Sequence, residues 1–188
     1  MTARAPAADA GPTGDLLADI LDRVDAWLRF AEAKNLAVSA LTGTANAAMI
    51  SLLRGADNMP APAVAAFGAA ELAFLAALAT AVWSFRPHGP PRLRPSRPRR
   101  GEPHDNLFYS GHLAAYTPDE LAAEVAARYG GATGYAPADH PLHVALAGQI
   151  VANAVITNAK LRAFNQASLF VLLGLGLLAV GLAAELVR

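Results

Sequence analysis

From Ala163 to Ala184 the chain reads AFNQASLFVLLGLGLLAVGLAA, 22 residues without a charge. Wound as an α-helix they reach about 33 Å, enough to cross the roughly 30 Å hydrocarbon core of a bilayer. A second uncharged run, Asn35–Leu53, is 19 residues long but diluted by Thr42, Thr44 and Asn46. A third, Val64–Phe85, carries one carboxylate, Glu71, and places Trp83 near its end, where an interfacial aromatic belongs. Between the runs around Asn46 and Glu71 lies RGADNMPAP, whose Gly55, Pro60 and Pro62 predict a turn, so these two runs form a helical hairpin.

Ahead of the hairpin, Leu17, Ile20, Leu21, Val24, Leu28 and Ala31 recur at three- and four-residue spacing among Asp19, Asp22, Arg23, Asp25 and Arg29. That is an amphipathic helix feeding straight into the first span. Its apolar stripe needs a partner, either the middle of the chain or another subunit. Downstream, Thr117-Pro118-Asp119-Glu120 has the form of a capping box with proline in the first helical position, and Gly130-Gly131 supplies a stop after Tyr129. From Pro141 a further helix is predicted, with Leu142, Leu146, Ile150, Asn153, Thr157, Lys160 and Phe164 near one face, continuing into the last span. Val144–Ala159 is uncharged and leaves open a fourth, short membrane segment, although Gln149, Asn153, Thr157 and Asn158 make it polar for lipid.

The expected organisation is an all-α membrane protein with three transmembrane helices and cytoplasmic helical extensions. Residues 1–14 form a disordered N-terminus and 15–34 the amphipathic helix. Residues 35–85 form the hairpin, 86–104 an Arg/Pro-rich linker, 105–162 a helical region and 163–186 the third span. The N-terminal MTARAPAADAGPTG does not resemble a cleaved signal peptide.

Composition agrees with a membrane. Hydrophobic residues make up 54% and charged residues 16%, with mean hydropathy +0.31. Fifteen basic and fifteen acidic residues cancel, so a nucleic-acid partner has no overall electrostatic support. The distribution is uneven: residues 86–103 hold six Arg and six Pro. By the positive-inside bias this stretch and the N-terminus face the cytoplasm of a multi-pass protein in the cell's inner membrane. The linker arginines also suit phosphate or anionic lipid. Cysteine is absent, which removes disulfides, thiolate metal sites and cysteine nucleophiles. His140 and His143 have helical spacing but Pro141 intervenes and no third ligand follows, so no metal or other cofactor is expected. No glycine-rich phosphate loop or nucleophile–base arrangement marks an enzyme.

In their order and spacing, three blocks resemble the transmembrane Pycsar effectors, small membrane proteins of a bacterial anti-phage system that signals with cyclic pyrimidine mononucleotides. The first is Ala31-Glu32-Ala33-Lys34 followed by an apolar span containing Asn46. The second is Asn106-Leu107-Phe108-Tyr109-Ser110-Gly111-His112 followed by Thr117-Pro118-Asp119. The third runs from Gln149-Ile150 through Lys160 into the last span. The Arg/Pro insert is more basic than the family pattern, and Glu32 stands where Asp is more usual. The resemblance implies an effector at the cytoplasmic membrane, activated by cyclic CMP or cyclic UMP from a partner pyrimidine nucleotide cyclase, that impairs the membrane and aborts infection. A membrane-anchored scaffold binding a cytoplasmic protein is the alternative, and a small transporter using Glu71 is a third reading.

Candidate residues divide into two groups. Asn106, Tyr109 and His112 have the polar and aromatic character to stack on a pyrimidine and bond its edge, or else form a structural turn. Lys34, Asn46 and Glu71 belong to the membrane part: Lys34 as an interfacial anchor, Glu71 as a carboxylate that lipid disfavours unless it faces a pore, a partner or polar neighbours such as Thr42, Thr44 and Asn46. Gly174, Gly176 and Gly181 permit close helix approach, within one subunit or in a homo-oligomer.

Overall fold

A computed structural model describes residues 11–55, 59–86, 104–131 and 134–187. The described residues contain helices and no strand: α1 (Gly11–Arg54), α2 (Ala61–Trp83), α3 (Ser110–Leu113), α4 (Pro118–Tyr129) and α5 (Pro141–Leu186), with one 3-10 turn at Pro137–Asp139. The linker expected over 86–104 lies almost wholly outside the described residues, as do residues 1–10.

Three helices are long and apolar enough to cross a membrane, and the protein is an all-α membrane protein. With 44 and 46 residues, α1 and α5 are each about 65–70 Å long, twice the thickness of the hydrocarbon core, so only part of each can lie in lipid. The 23-residue α2 is matched to a single crossing. Contacts divide the chain into two units, one drawn from Met1–Arg29 and His88–Asn158, the other from Phe30–Pro87 and Ala159–Arg188.

In the first unit, Leu17, Ile20, Leu21 and Val24 of α1 form a core with Leu107, Leu113, Tyr116, Leu121, Val125, Leu146, Ile150 and Val151. The amphipathic stripe thus finds its partner within its own chain. Burial in this core also accounts for the uncharged Val144–Ala159 stretch, whose Leu146, Ala147, Ile150, Val151 and Ala154 all pack there. The buried face of α5 begins at His143; Leu142, expected on that face, is exposed. Asn153 Nδ2 donates to Asp25 Oδ1 at 2.7 Å and ties α5 to α1.

Residues 11–14, expected as part of a disordered N-terminus, are helical. The reason is a close contact across the unit. Thr13 is buried, and its hydroxyl occupies the space where a Cβ would stand at position 130, which only Gly130 leaves free. Gly130 is also the C-cap of α4, and Gly131 follows with φ +61, the left-handed conformation that glycine adopts without strain. At the other end of α4 the capping box is complete: Glu120 N donates to Thr117 Oγ1, and Thr117 N donates to Glu120 Oε2 at 3.0 Å.

The second unit is a bundle of Phe30–Arg54, α2 and Ala159–Leu186. Val38, Met49, Phe67, Phe74, Ala167 and Val171 are among its buried residues. A Cβ at Gly174 would come within 2.7 Å of the Phe74 ring, and one at Gly181 would strike Phe67. These pairs run in opposite directions along the two helices, so α2 and α5 are antiparallel. Gly176 faces open space. Leu72, Leu75, Val82, Leu169, Leu172, Leu173, Val180 and Leu182 point outward, the surface lipid would cover.

Candidate functional site

At the end of the bundle where α2 finishes, Lys160 of α5 is almost fully buried. Its Nζ lies 3.2 Å from Glu32 Oε1 of α1 and donates to the Ser84 carbonyl oxygen, at 3.2 Å, just past α2. The Phe85 ring lies 5.5 Å away. One ammonium therefore touches all three helices of the bundle. Beside it, Asn35 Nδ2 donates to Ala31 O within α1 and to Lys160 O of α5, each at 3.0 Å. Lys34, expected as an interfacial anchor, sits with Nζ 4.5 Å from the Phe30 ring centroid and 4.8 Å from that of Phe164. Arg86 stacks over Trp83 at 4.2 Å. This ring of cations on aromatic faces is the composition of a membrane–water boundary.

Further into the bundle, the hydroxyls of Thr42 and Thr44 donate to carbonyls of their own helix, Val38 O and Ala40 O, and Asn46 Nδ2 donates to Thr42 O at 2.7 Å. Glu71 is buried as well, but its Oε2 has no hydrogen-bond partner among the described residues. The three polar side chains expected to answer it thus direct these donors into α1 itself.

In the first unit, Asn106, Tyr109 and His112 do come together, around a tight turn. Asn106 N donates to His112 Nδ1 at 2.9 Å, Phe108 N donates to Asn106 Oδ1 at 2.9 Å, and the Tyr109 ring stands edge-on to His112 with centroids 5.3 Å apart. The Tyr109 ring covers Gly111, where any side chain would collide with it, yet Tyr109 remains 55% exposed. Asp105 anchors the turn: its Oδ2 accepts from Tyr116 OH at 3.0 Å, and its carbonyl accepts from Arg128 at 2.9 Å. Burial and the Asp105 carboxylate push the Tyr116 phenol up to about 12. Of the sequence-predicted trio, Asn106 Oδ1 and His112 Nδ1 are engaged in the turn, Asn106 and Tyr109 are exposed, and His112 is half-buried.

The sequence model of one family, PycTM, described as the Pycsar effector protein domain, matches residues 16–186. The chain belongs to the Pycsar effector family. No curated protein and no solved structure matches it. The protein is accordingly an anti-phage membrane effector, working in a setting of cyclic-nucleotide signalling. All three blocks that carried the resemblance lie inside the matched range.

Two groupings in this effector escaped the sequence reading. The Glu32–Lys160–Ser84 cluster joins residues far apart in the chain, and the available hint was an acid and a lysine bordering two different spans. His140 and His143 stack with Tyr135, at centroid distances of 4.8 Å from His140 and 5.9 Å from His143, and Tyr135 OH lies 3.1 Å from His143 Nδ1. Burial, then the nearby Asp119, raises the Tyr135 phenol above its ordinary value. Here the i,i+3 histidine spacing produced an aromatic stack.

Proposed function

We propose that this effector is switched on by cyclic CMP or cyclic UMP, made by a pyrimidine nucleotide cyclase, and that it then impairs the integrity of the cell's inner membrane. The observation that carries this reading is the continuity of α1 and α5, each of which supplies residues to both units without a break. A ligand that favours one arrangement of the first unit thereby has a mechanical route into the membrane helices, provided it binds the two states with different affinity. The exposed Tyr109 ring is the stacking surface for the pyrimidine, held by the Asn106–His112 turn. The N-terminus and the middle of the chain face the cytoplasm, where the nucleotide is made, in keeping with the basic residues between the second and third spans. The effector works without catalysis and as a homo-oligomer, its outward-facing Leu and Val meeting lipid and neighbouring copies.

The test is membrane potential, followed with a potential-sensitive dye in cells expressing the effector with an active or an inactive pyrimidine cyclase. Depolarisation only with the active cyclase is expected. An undisturbed potential in both cases, with the protein present in the membrane fraction, would overturn the reading in favour of a membrane-anchored scaffold.

A further inference from the structure

The interior of the membrane bundle contains acceptor oxygens that the fold leaves unanswered. Asn35 and Asn46 both donate through Nδ2, but their Oδ1 atoms, like Glu71 Oε2, are buried and accept no hydrogen bond among the described residues. Such groups are rare in packed interiors because each forfeits its bond to water, so their presence calls for an explanation. Glu71 is only 9% exposed and sits near the middle of the 23-residue α2, about 15 Å from its start and about 18 Å from its end.

The three oxygens lie at different depths. Asn35 meets Lys160 of α5, and Phe74 meets Gly174. By these contacts and that of Lys160 with the Ser84 carbonyl, Asn46 lies about 16 Å further in than Asn35, and Glu71 about 3–9 Å beyond Asn46. A dehydrated metal cation needs several oxygens converging on one point, and with Asn35 about 16 Å from Asn46 at most two of these side chains could converge. The flanking bundle residues are apolar, including Ala70, Phe74, Leu52 and Leu177. No other titratable side chain lies in 35–53 of α1 or 163–184 of α5, and the next carboxylate along α5 is Glu185, near its end. A proton, by contrast, needs one oxygen, and a carboxylate can both take it and give it up.

We propose that Glu71 is a proton-binding site and that the effector's membrane bundle passes protons. The Glu71 carboxylate takes a proton from water on one side, crosses the apolar state as a neutral acid, and releases the proton to water on the other side, regenerating the carboxylate. In the conducting state Asn46 and Asn35 Oδ1 accept O–H bonds from the water that enters the bundle and relays the proton to Glu71. The net event is a proton moving down its gradient. This inference rests on the nucleotide-switched reading above and names the ion it admits.

The experiment uses the full-length protein in liposomes holding a pH-sensitive dye, with valinomycin and potassium to balance charge, and calcein-loaded vesicles in parallel. The expected result is internal acidification on adding cyclic CMP or cyclic UMP, lost in Glu71→Gln, lost in Asn46→Leu and restored in Glu71→Asp, with calcein retained throughout. Acidification by Glu71→Gln at the wild-type rate, or escape of calcein from wild type and Glu71→Gln alike, overturns the proton assignment while leaving nucleotide gating intact. Wild-type vesicles unresponsive to nucleotide in both assays count against the gated reading instead. Infrared spectroscopy in bilayers then decides Glu71 independently: a protonated-carboxyl carbonyl band that shifts in D2O and is missing from Glu71→Gln upholds the site, and its absence at every pH overturns it.

Discussion

Lys160 Nζ stands 3.2 Å from Glu32 Oε1, but the two residues are unequally buried: the lysine side chain is 8% exposed and the glutamate 47%. The Ser84 carbonyl supplies a second polar contact to the lysine. Because Glu32 keeps access to water, the pair behaves more like a boundary ion pair than a buried one. Glu32→Gln is expected to lower stability by about 1 kcal/mol or less. Lys160→Ala removes the ammonium from all three helices and exposes a cavity, so a loss of about 2–4 kcal/mol is expected. Thermal unfolding in nanodiscs checks the order, and equal effects would show that Ser84 and Phe85 contribute nothing.

Gly174 and Gly181 meet the rings of Phe74 and Phe67, whereas Gly176 faces open space. Alanine at either of the first two forces a ring to move and should cost about 1–3 kcal/mol. Gly176→Ala should be neutral within about 0.5 kcal/mol, since nothing stands where its methyl goes. Resistance of the three variants to detergent unfolding provides the comparison.

The capping box on α4 predicts that Thr117→Ala lowers the stability of the first unit by about 0.5–2 kcal/mol, through the loss of the bond to Glu120 N. Hydrogen exchange at Asp119 and Glu120 should quicken before any change in the membrane helices is seen.

The pKa of Tyr116 is raised to about 12 from an ordinary value of 10. A raised pKa means that the folded state holds the phenolic proton more tightly. Its contribution to stability is therefore complete below pH 10 and is lost as pH rises towards 12. An alkaline titration of unfolding should show this loss in wild type and a smaller one in Tyr116→Phe. At neutral pH the same variant should be less stable by about 1–3 kcal/mol, because the buried Asp105 carboxylate loses a donor.

Tyr109 is exposed and supports little beyond its own turn, so Tyr109→Ala should change stability by less than about 0.5 kcal/mol. On the proposed role it should nevertheless abolish cyclase-dependent depolarisation, while Tyr109→Phe retains it. A Tyr109→Ala variant that depolarises as wild type does would place the nucleotide elsewhere.

Much of this architecture was legible in the pattern of residues. Apolar runs with at most one charge and long enough to cross a bilayer are read from the chain directly, Thr117, Glu120 and Gly130 act through bonds to residues a few positions away, and Pro118 acts through its fixed φ. Such signals are local, and they marked α2, both limits of α4 and the start of α5 at Pro141. The helical state of residues 11–14 was not legible, because it depends on Thr13 meeting Gly130, a residue more than a hundred positions away. The same holds for the turn around Asp105, where Tyr116 and Arg128 converge.

By itself, then, the sequence determined that this is a three-span, all-helical membrane protein with an amphipathic helix running into its first span, since hydrophobic length and period are properties of the chain alone. Only the tertiary structure decided what those helices bury. It brought Lys160 to Glu32 and Ser84, set Phe74 against Gly174, packed Leu146, Ile150, Val151 and Ala154 into the first unit, and left Glu71 Oε2 without a hydrogen-bond partner among the described residues while the hydroxyls of Thr42 and Thr44 serve carbonyls of α1 itself. The physical reason is that a side chain's period assigns it to a face of its helix, while its partner is set by which face of another helix arrives opposite and at what depth. That register is fixed by packing between distant segments.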